Sequence, residues 1–221
     1  MKSKLKNALV RVFRREILRD QFLLAVKRWF RDDGDNTLRL SYPLDTESVV
    51  WDLGGYHGDF AAEISQRYDS RIFVFEPVPK FYDQCVERFG RSSRVQCLPF
   101  GLSRTAGWFN ISDSADASSF VRDASDASYV RAEIRPVAAM FEELGVDDVT
   151  LLKINIEGGE FDVIPALLDA DLMRRVRFLQ VQFHDFVPDA YAKREQIRHR
   201  LAETHREMWS YPFVWECWER K

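Results

Sequence analysis

The sequence predicts an α/β domain built on a doubly wound, mainly parallel seven-stranded sheet, preceded by a basic helical extension. Three observations predict it. Short apolar runs alternate with helix-period segments between residues 48 and 207, and strand-helix-strand order calls for parallel pairing. A glycine turn joins the first apolar run to the first helix, the place where doubly wound sheets open toward ligands. With 221 residues, 46% of them hydrophobic, the chain can bury one large core without disulfide or metal staples.

Residues 1–35 read as an arm and residues 36–221 as the domain. Leu5, Leu9, Val12, Phe13 and Ile17, then Phe22, Val26, Trp29 and Phe30, recur at helical spacing. Ten Lys/Arg stand against Glu16 and Asp20 between positions 1 and 31, so this amphipathic segment either packs on the domain or rests on anionic lipid. Asp32-Asp33-Gly34-Asp35-Asn36 ends it. Strands are then expected at 48–53, 71–75 and 94–100, with helices at 60–68 and 80–89 between them. Residues 106–111 offer a short strand, and 112–129, rich in Ser, Asp and Ala, reads as a surface loop. A helix at 136–144, strand at 148–156, helix at 160–168, strand at 176–183, helix at 190–207 and strand at 211–218 complete the order. Trp209, Tyr211, Phe213, Trp215 and Trp218 are assigned to the core of the last strand, because aromatics are the main apolar payload of a sheet.

Charge and cysteine usage exclude several classes. Beyond residue 31, 22 basic residues face 33 acidic ones, a poor surface for phosphate backbones, so no nucleic-acid partner is expected. Cys85, Cys97 and Cys217 are odd in number and form no Cys-x-x-Cys pair, which argues against a disulfide framework or zinc site and for the reducing cytoplasm. No apolar run approaches the roughly 20 residues that span a bilayer. Arg14, Arg15, Glu16 and Arg19 interrupt any signal-type core, so membrane contact is expected only at the periphery of the inner face, through residues 1–31.

The chemistry gathers at strand ends. Val49-Val50-Trp51-Asp52-Leu53-Gly54-Gly55-Tyr56-His57-Gly58 runs from a strand into a glycine turn, where glycines let backbone approach a ligand and a carboxylate can fix a cationic or hydroxyl-bearing group. Its Asp-x-Gly-x-x-x-Gly spacing differs from the dinucleotide fingerprint and resembles motif I of S-adenosylmethionine-dependent methyltransferases, in which the Asp lies near the methionine part of the donor. Glu76 ends the second strand 24 residues after Asp52, placed to accept hydrogen bonds from two vicinal ribose hydroxyls. A nicotinamide nucleotide would use the same acid. The missing third glycine and the lack of a Tyr-x-x-x-Lys pair count against a short-chain oxidoreductase.

Phe75-Glu76-Pro77, Gly101-Leu102-Ser103, Ser118-Ser119-Phe120 and Lys153-Ile154-Asn155-Ile156-Glu157-Gly158-Gly159-Glu160 follow one another as in the FkbM-type methyltransferases, which the chain resembles from about residue 48 to 185. The resemblance implies an α/β methyltransferase of the Rossmann-like kind, using S-adenosylmethionine to methylate hydroxyls on sugars, glycolipids or macrolides, with Ser103 among the donor-binding residues. The chain departs from the family signature in carrying Asn155 where an Asp is usual, so a role needing charge there does not transfer. It departs again at Gln182, which replaces an acid two residues before His184.

Period-2 alternation sets Lys153, Asn155 and Glu157 on one face of their strand, and a Lys and an acid on a buried strand need partners or a polar ligand. A structural ion-pair network competes there with substrate positioning. His184 is expected to emerge at the same sheet edge as Glu157 and to remove the proton from an attacking hydroxyl. The expected site therefore has His184, Glu157 and Lys153 as catalytic residues, and Asp52, Gly54, Gly55, Gly58, Glu76 and Ser103 around S-adenosylmethionine. Asn155, Glu160, Ser118 and Ser119 are assigned to the acceptor, the last two on a loop that closes over the substrates. His57 is read as shaping the donor turn. No metal is expected, since Glu157 and Glu160 have no identifiable third ligand. The rival readings are a nucleotide-dependent oxidoreductase on the same sheet and a donor-binding scaffold without catalysis.

Overall fold

The computed structural model describes residues 21–112 and 129–221. The expected loop at 113–128, with Ser118 and Ser119, and the first 20 residues of the arm lie outside the described residues.

The central sheet has seven strands in the order β3-β2-β1-β7-β8-β10-β9, formed by β1 (Val49–Leu53), β2 (Arg71–Phe75), β3 (Val95–Leu98), β7 (Val149–Ile154), β8 (Val176–Val181), β9 (His205–Tyr211) and β10 (Trp215–Arg220). The first five named here run parallel, and β10 inserts antiparallel between β8 and β9. Near-continuous apolar runs such as Arg-Ile-Phe-Val-Phe and Val-Thr-Leu-Leu-Lys-Ile suit strands covered on both faces. Alternate residues accordingly feed two cores. Trp51, Leu53, Phe75, Leu152, Ile154 and Leu179 face α5 (Glu160–Asp169) and α6 (Ala190–Thr204), behind the short helix α4 (Met140–Glu143). Val50, Ile72, Val74 and Leu151 face α2 (Asp59–Tyr68) and α3 (Pro79–Phe89).

Three segments differ from the sequence expectation, one of them the strand expected at 211–218, which is split by a turn at 212–214 before β10. The helix ends at Thr204, and His205–Tyr211 is the edge strand β9. His205 is fully buried, its ring nitrogens meeting Thr204 Oγ1 at 2.8 Å and the Val176 carbonyl at 3.0 Å, whereas the following Arg206, Glu207 and Met208 are exposed and give no strand alternation. The strand expected at 106–111 exists as β5 (Gly107–Ser112) but belongs to a second, three-stranded sheet with β4 (Gly101–Ser103) and β6 (Tyr129–Pro136). Apolar Val130, Ala132 and Ile134 alternate with Arg131, Glu133 and Arg135 along β6, a period-2 signal masked by the polar stretch before it.

Residues 21–31 of the arm form α1 (Gln21–Arg31), with Ala25 and Trp29 buried. Trp29 packs on Trp209 and Tyr211 of β9 at ring-centroid distances of 5.8 and 5.1 Å, and the Tyr211 hydroxyl donates to Asp32 at 2.8 Å. No described helix is long and apolar enough to cross a membrane.

Candidate active site

The carboxyl ends of β1, β2, β7 and β8 meet at one edge of the sheet. After β1 the chain turns at Gly54 with φ +84°, a conformation that side chains rarely adopt. A Cβ there would lie 2.0 Å from the Asn155 carbonyl oxygen, so glycine lets the turn after β1 lie directly on the chain leaving β7. Gly55 and Gly58 allow similar approaches by Val74 and Phe89, with added Cβ atoms 2.2 and 2.6 Å away. In the fold these glycines bring the turn close against protein and set its shape.

Asp52, fully buried, lies in register with Lys153 of β7, whose Nζ donates to Asp52 Oδ1 at 2.7 Å, to the Gly54 carbonyl at 2.8 Å and to that of Leu53 at 3.4 Å. All three ammonium hydrogens are thereby engaged beneath the turn. Lys153, expected as a catalytic residue, is thus the internal partner of Asp52 on the neighbouring strand. The other oxygen of Asp52 accepts from no donor among the described residues.

Glu76 follows β2 and is buried. Its Oε2 accepts from the Tyr56 backbone N–H at 2.7 Å and its Oε1 from that of Val78 at 2.9 Å. Burial pushes its carboxyl above the usual carboxylate range, while these two bonds and the Lys153 charge pull the other way. Each oxygen keeps a second lone pair. Tyr56, at φ +50°, stacks on His57 at 3.7 Å and Phe81 at 4.6 Å, and the His57 ring meets Gln84 of α3. His57 therefore braces the turn from the α3 side.

Across the edge, His184 lies just past β8 at 8% exposure. Its ring nitrogen Nδ1 is 2.9 Å from Glu160 Oε1, and its Nε2 is 3.8 Å from Glu157 Oε1. Burial lowers the His184 pKa, but the hydrogen bond and charge of Glu160, with the charges of Glu157 and Asp185, outweigh it and leave it above the ordinary 6.5. Glu157 holds φ +53° at the turn after β7 and is exposed, so its carboxylate stands on the solvent side of the imidazole. Glu160 was assigned to the acceptor. Instead it is fully buried and turned inward, with both oxygens accepting from the N–H groups of Gly158 and of His184 and its ring.

Asn155 is half-buried, its backbone N–H extending the β1 pairing to the Leu53 carbonyl at 3.0 Å. Ser103 ends β4, whose first residue, Gly101, lies against Pro77 next to Glu76, and it precedes Arg104, whose guanidinium pairs with Asp169 at 2.7 Å. One neighbour of His184 escaped the sequence reading: Phe186 is 52% exposed with its ring 5.3 Å from the imidazole. A lone Phe in a loop carries no periodicity, so only its proximity to His184 in sequence pointed to it. Among the described residues no three His, Cys, Asp or Glu side chains form a group that could hold a metal ion.

A parallel sheet with one antiparallel strand, a glycine turn after β1 and an acid after β2 define a Rossmann-like methyltransferase. Residues 52–213 match the Methyltransferase FkbM domain, and the chain belongs to that family, with S-adenosylmethionine as its methyl donor. It is 24% identical over 158 residues to the 2-O-methyltransferase NoeI of Sinorhizobium fredii, covering 63% of this chain and 64% of NoeI. It is 25% identical over 203 residues to the AMB antimetabolite synthetase AmbE of Pseudomonas aeruginosa, covering 73% of this chain and 10% of AmbE. The chain thus spans less than two thirds of either curated relative. Among solved structures, an rRNA methylase from Streptococcus thermophilus superposes with a TM-score of 0.50 at 12% identity, covering 80% of this chain and 89% of that one, a likeness of fold alone.

Proposed function

We propose that the chain is an S-adenosylmethionine-dependent O-methyltransferase acting on a hydroxyl of a sugar, glycolipid or polysaccharide-type acceptor. The observation that carries this reading is His184, a histidine at the ligand edge of the sheet with one ring nitrogen on a buried carboxylate and the other on the open side beside Glu157. A hydroxyl is a poor nucleophile until its proton has somewhere to go, and an imidazole so placed provides for it. The name of NoeI, a 2-O-methyltransferase, supports oxygen as the methylated atom.

The donor residues fit the proposed ligand. Asp52 carries a buried oxygen without a donor among the described residues, and an acceptor left so costs roughly 1–3 kcal/mol. A cationic or N–H-bearing group at the β1 turn would offset that cost, as the donor's ammonium can. Glu76 retains lone pairs for the ribose hydroxyls. When bound, S-adenosylmethionine supplies an electrophilic methyl on a sulfonium, and the protein's part is to orient the acceptor oxygen and hold its proton.

Replacing Glu76 by Ala is expected to weaken S-adenosylmethionine binding about tenfold or more, following roughly 1–3 kcal/mol for hydroxyls left unpaired. Calorimetry on the folded variant reads this, and unchanged affinity removes Glu76 from the donor site. The reaction itself is tested by incubating the protein with isotopically labelled donor and a panel of glycans and glycolipids. Label recovered as a methyl ether supports the proposal; label recovered only on nitrogen or carbon overturns it.

The same reading puts the enzyme in a reducing compartment, in keeping with its three free cysteines, and brings it to membrane-bound acceptors through the basic arm. Seven Lys/Arg precede Gln21, and each Lys or Arg near an anionic bilayer contributes about 1 kcal/mol. A chain lacking residues 1–20 keeps the α1 contacts with β9 and is expected to stay folded while losing low-salt co-sedimentation with anionic vesicles. Equal sedimentation of both chains would remove the membrane role.

A further inference from the structure

We propose that Glu160 is a positioning residue that makes His184 a base, by fixing which ring nitrogen carries the proton and which one faces the acceptor. This rests on the reading of His184 as the base. Glu160 opens α5 and is fully buried. Its Oε1 accepts from the backbone N–H of His184 at 2.8 Å and lies 2.9 Å from the same residue's Nδ1. Its Oε2 accepts from the Gly158 N–H at 2.9 Å. One carboxylate therefore ties the loop after β8 to the turn after β7, and holds both the main chain and the ring of the histidine.

A carboxylate accepts and does not donate, so the Nδ1 facing it bears the hydrogen. The Nε2 lone pair is then left on the side of Glu157. As the acceptor oxygen bonds the methyl carbon, the carbon–sulfur pair stays with sulfur, giving a neutral thioether, and the hydroxyl proton passes to Nε2. The resulting imidazolium lies between two carboxylates, Glu160 at Nδ1 and Glu157 near Nε2, with Asp185 beside it on its own loop. The charge that appears during transfer is met by groups already in place, which is where fixed electrostatics lower a barrier. Burial alone would disfavour that imidazolium; Glu160 is the principal group reversing the balance.

The sign of the pH effect follows. Turnover requires neutral His184, so activity rises with pH through the His184 pKa. Glu160→Gln removes the carboxylate that raises this pKa, and it offers an amide that can donate to Nδ1. The acid limb of the kcat/KM profile should move to lower pH, and kcat on the plateau should fall about a hundredfold, the low end for loss of general-base function. S-adenosylmethionine affinity should stay at the wild-type level. An acid limb that does not move in the folded variant overturns the proposal. A second measurement needs no variant: nitrogen-15 spectra of the full chain, with His184 assigned by its absence in His184→Ala, should show the Nδ1–H tautomer above the pKa. The Nε2–H tautomer there would equally overturn it. Full turnover in His184→Ala would sink the base reading itself, whereas an inactive His184→Ala beside a Glu160→Gln variant with wild-type pH behaviour would sink only the role of Glu160.

Discussion

Replacing His184 with alanine is expected to lower turnover by roughly 10²–10⁴-fold, the range lost with a positioned general base, while S-adenosylmethionine binds as before. The separation follows from the layout of the edge. The proposed donor-side groups, Asp52 and Glu76, are held by Lys153 and by the N–H groups of Tyr56 and Val78, and none of those bonds involves His184. Removing the imidazole therefore leaves the β1 turn intact. What is lost is an imidazole able to take a proton near neutral pH and already hydrogen-bonded in a fixed orientation. Single-turnover assays beside donor calorimetry check both halves. Wild-type turnover would make His184 a structural residue, and weakened donor binding would mean that the two sides of the edge are coupled.

Lys153→Met is expected to destabilise the fold by about 3–5 kcal/mol, the usual cost of removing one partner from a buried ion pair. The side chains of Lys153 and Asp52 are 5% and 0% exposed, and the ammonium also satisfies two carbonyls of the β1 turn. Methionine fills the space but takes the ammonium from the Asp52 carboxylate and the Gly54 carbonyl, while the Leu53 carbonyl keeps the Asn155 N–H. Adding Asp52→Leu removes the stranded charge, and because apolar replacement of a whole buried pair is often neutral or stabilising, most of the lost stability should return. Donor affinity should not return with it, because the orphaned acceptor has gone. Urea unfolding midpoints for the two variants test the first claim and calorimetry the second; a single variant as stable as the wild type would show that Asp52 finds another partner.

The strand ends were legible because they follow from period and punctuation. Asp52, Glu76 and His184 each close an apolar run, so a linear reading sets them at one edge. Their partners were not legible, because side-chain pairing across a sheet depends on register. Lys153 meets Asp52 from 101 positions away, and only the β1/β7 alignment decides that its ammonium turns inward rather than toward an acceptor. Glu160 similarly needs the 24-residue return through β8 to find His184. The same limit explains β9: the helix pattern through Glu207 is locally plausible, and strand structure there is imposed by pairing with Trp215–Arg220. Glycine spacing gave the turn correctly but not which side of it would be crowded.

The interior position of β10 bears on how the chain folds during synthesis. Residues 215–220 are the last of the seven strands of this sheet to be synthesised, yet they lie between β8 and β9 rather than at a margin. Until they emerge, the Val176–Val181 strand presents an unpaired apolar edge, the kind that templates association with another nascent chain. The His205–Tyr211 strand meanwhile has no neighbour in the sheet to pair with. Completion therefore waits on a hairpin of local contacts, which forms quickly once available, docking as a unit onto a nearly finished sheet. A chain interrupted before Trp215 would hold all the ligand-edge residues and still leave β8 as an open edge.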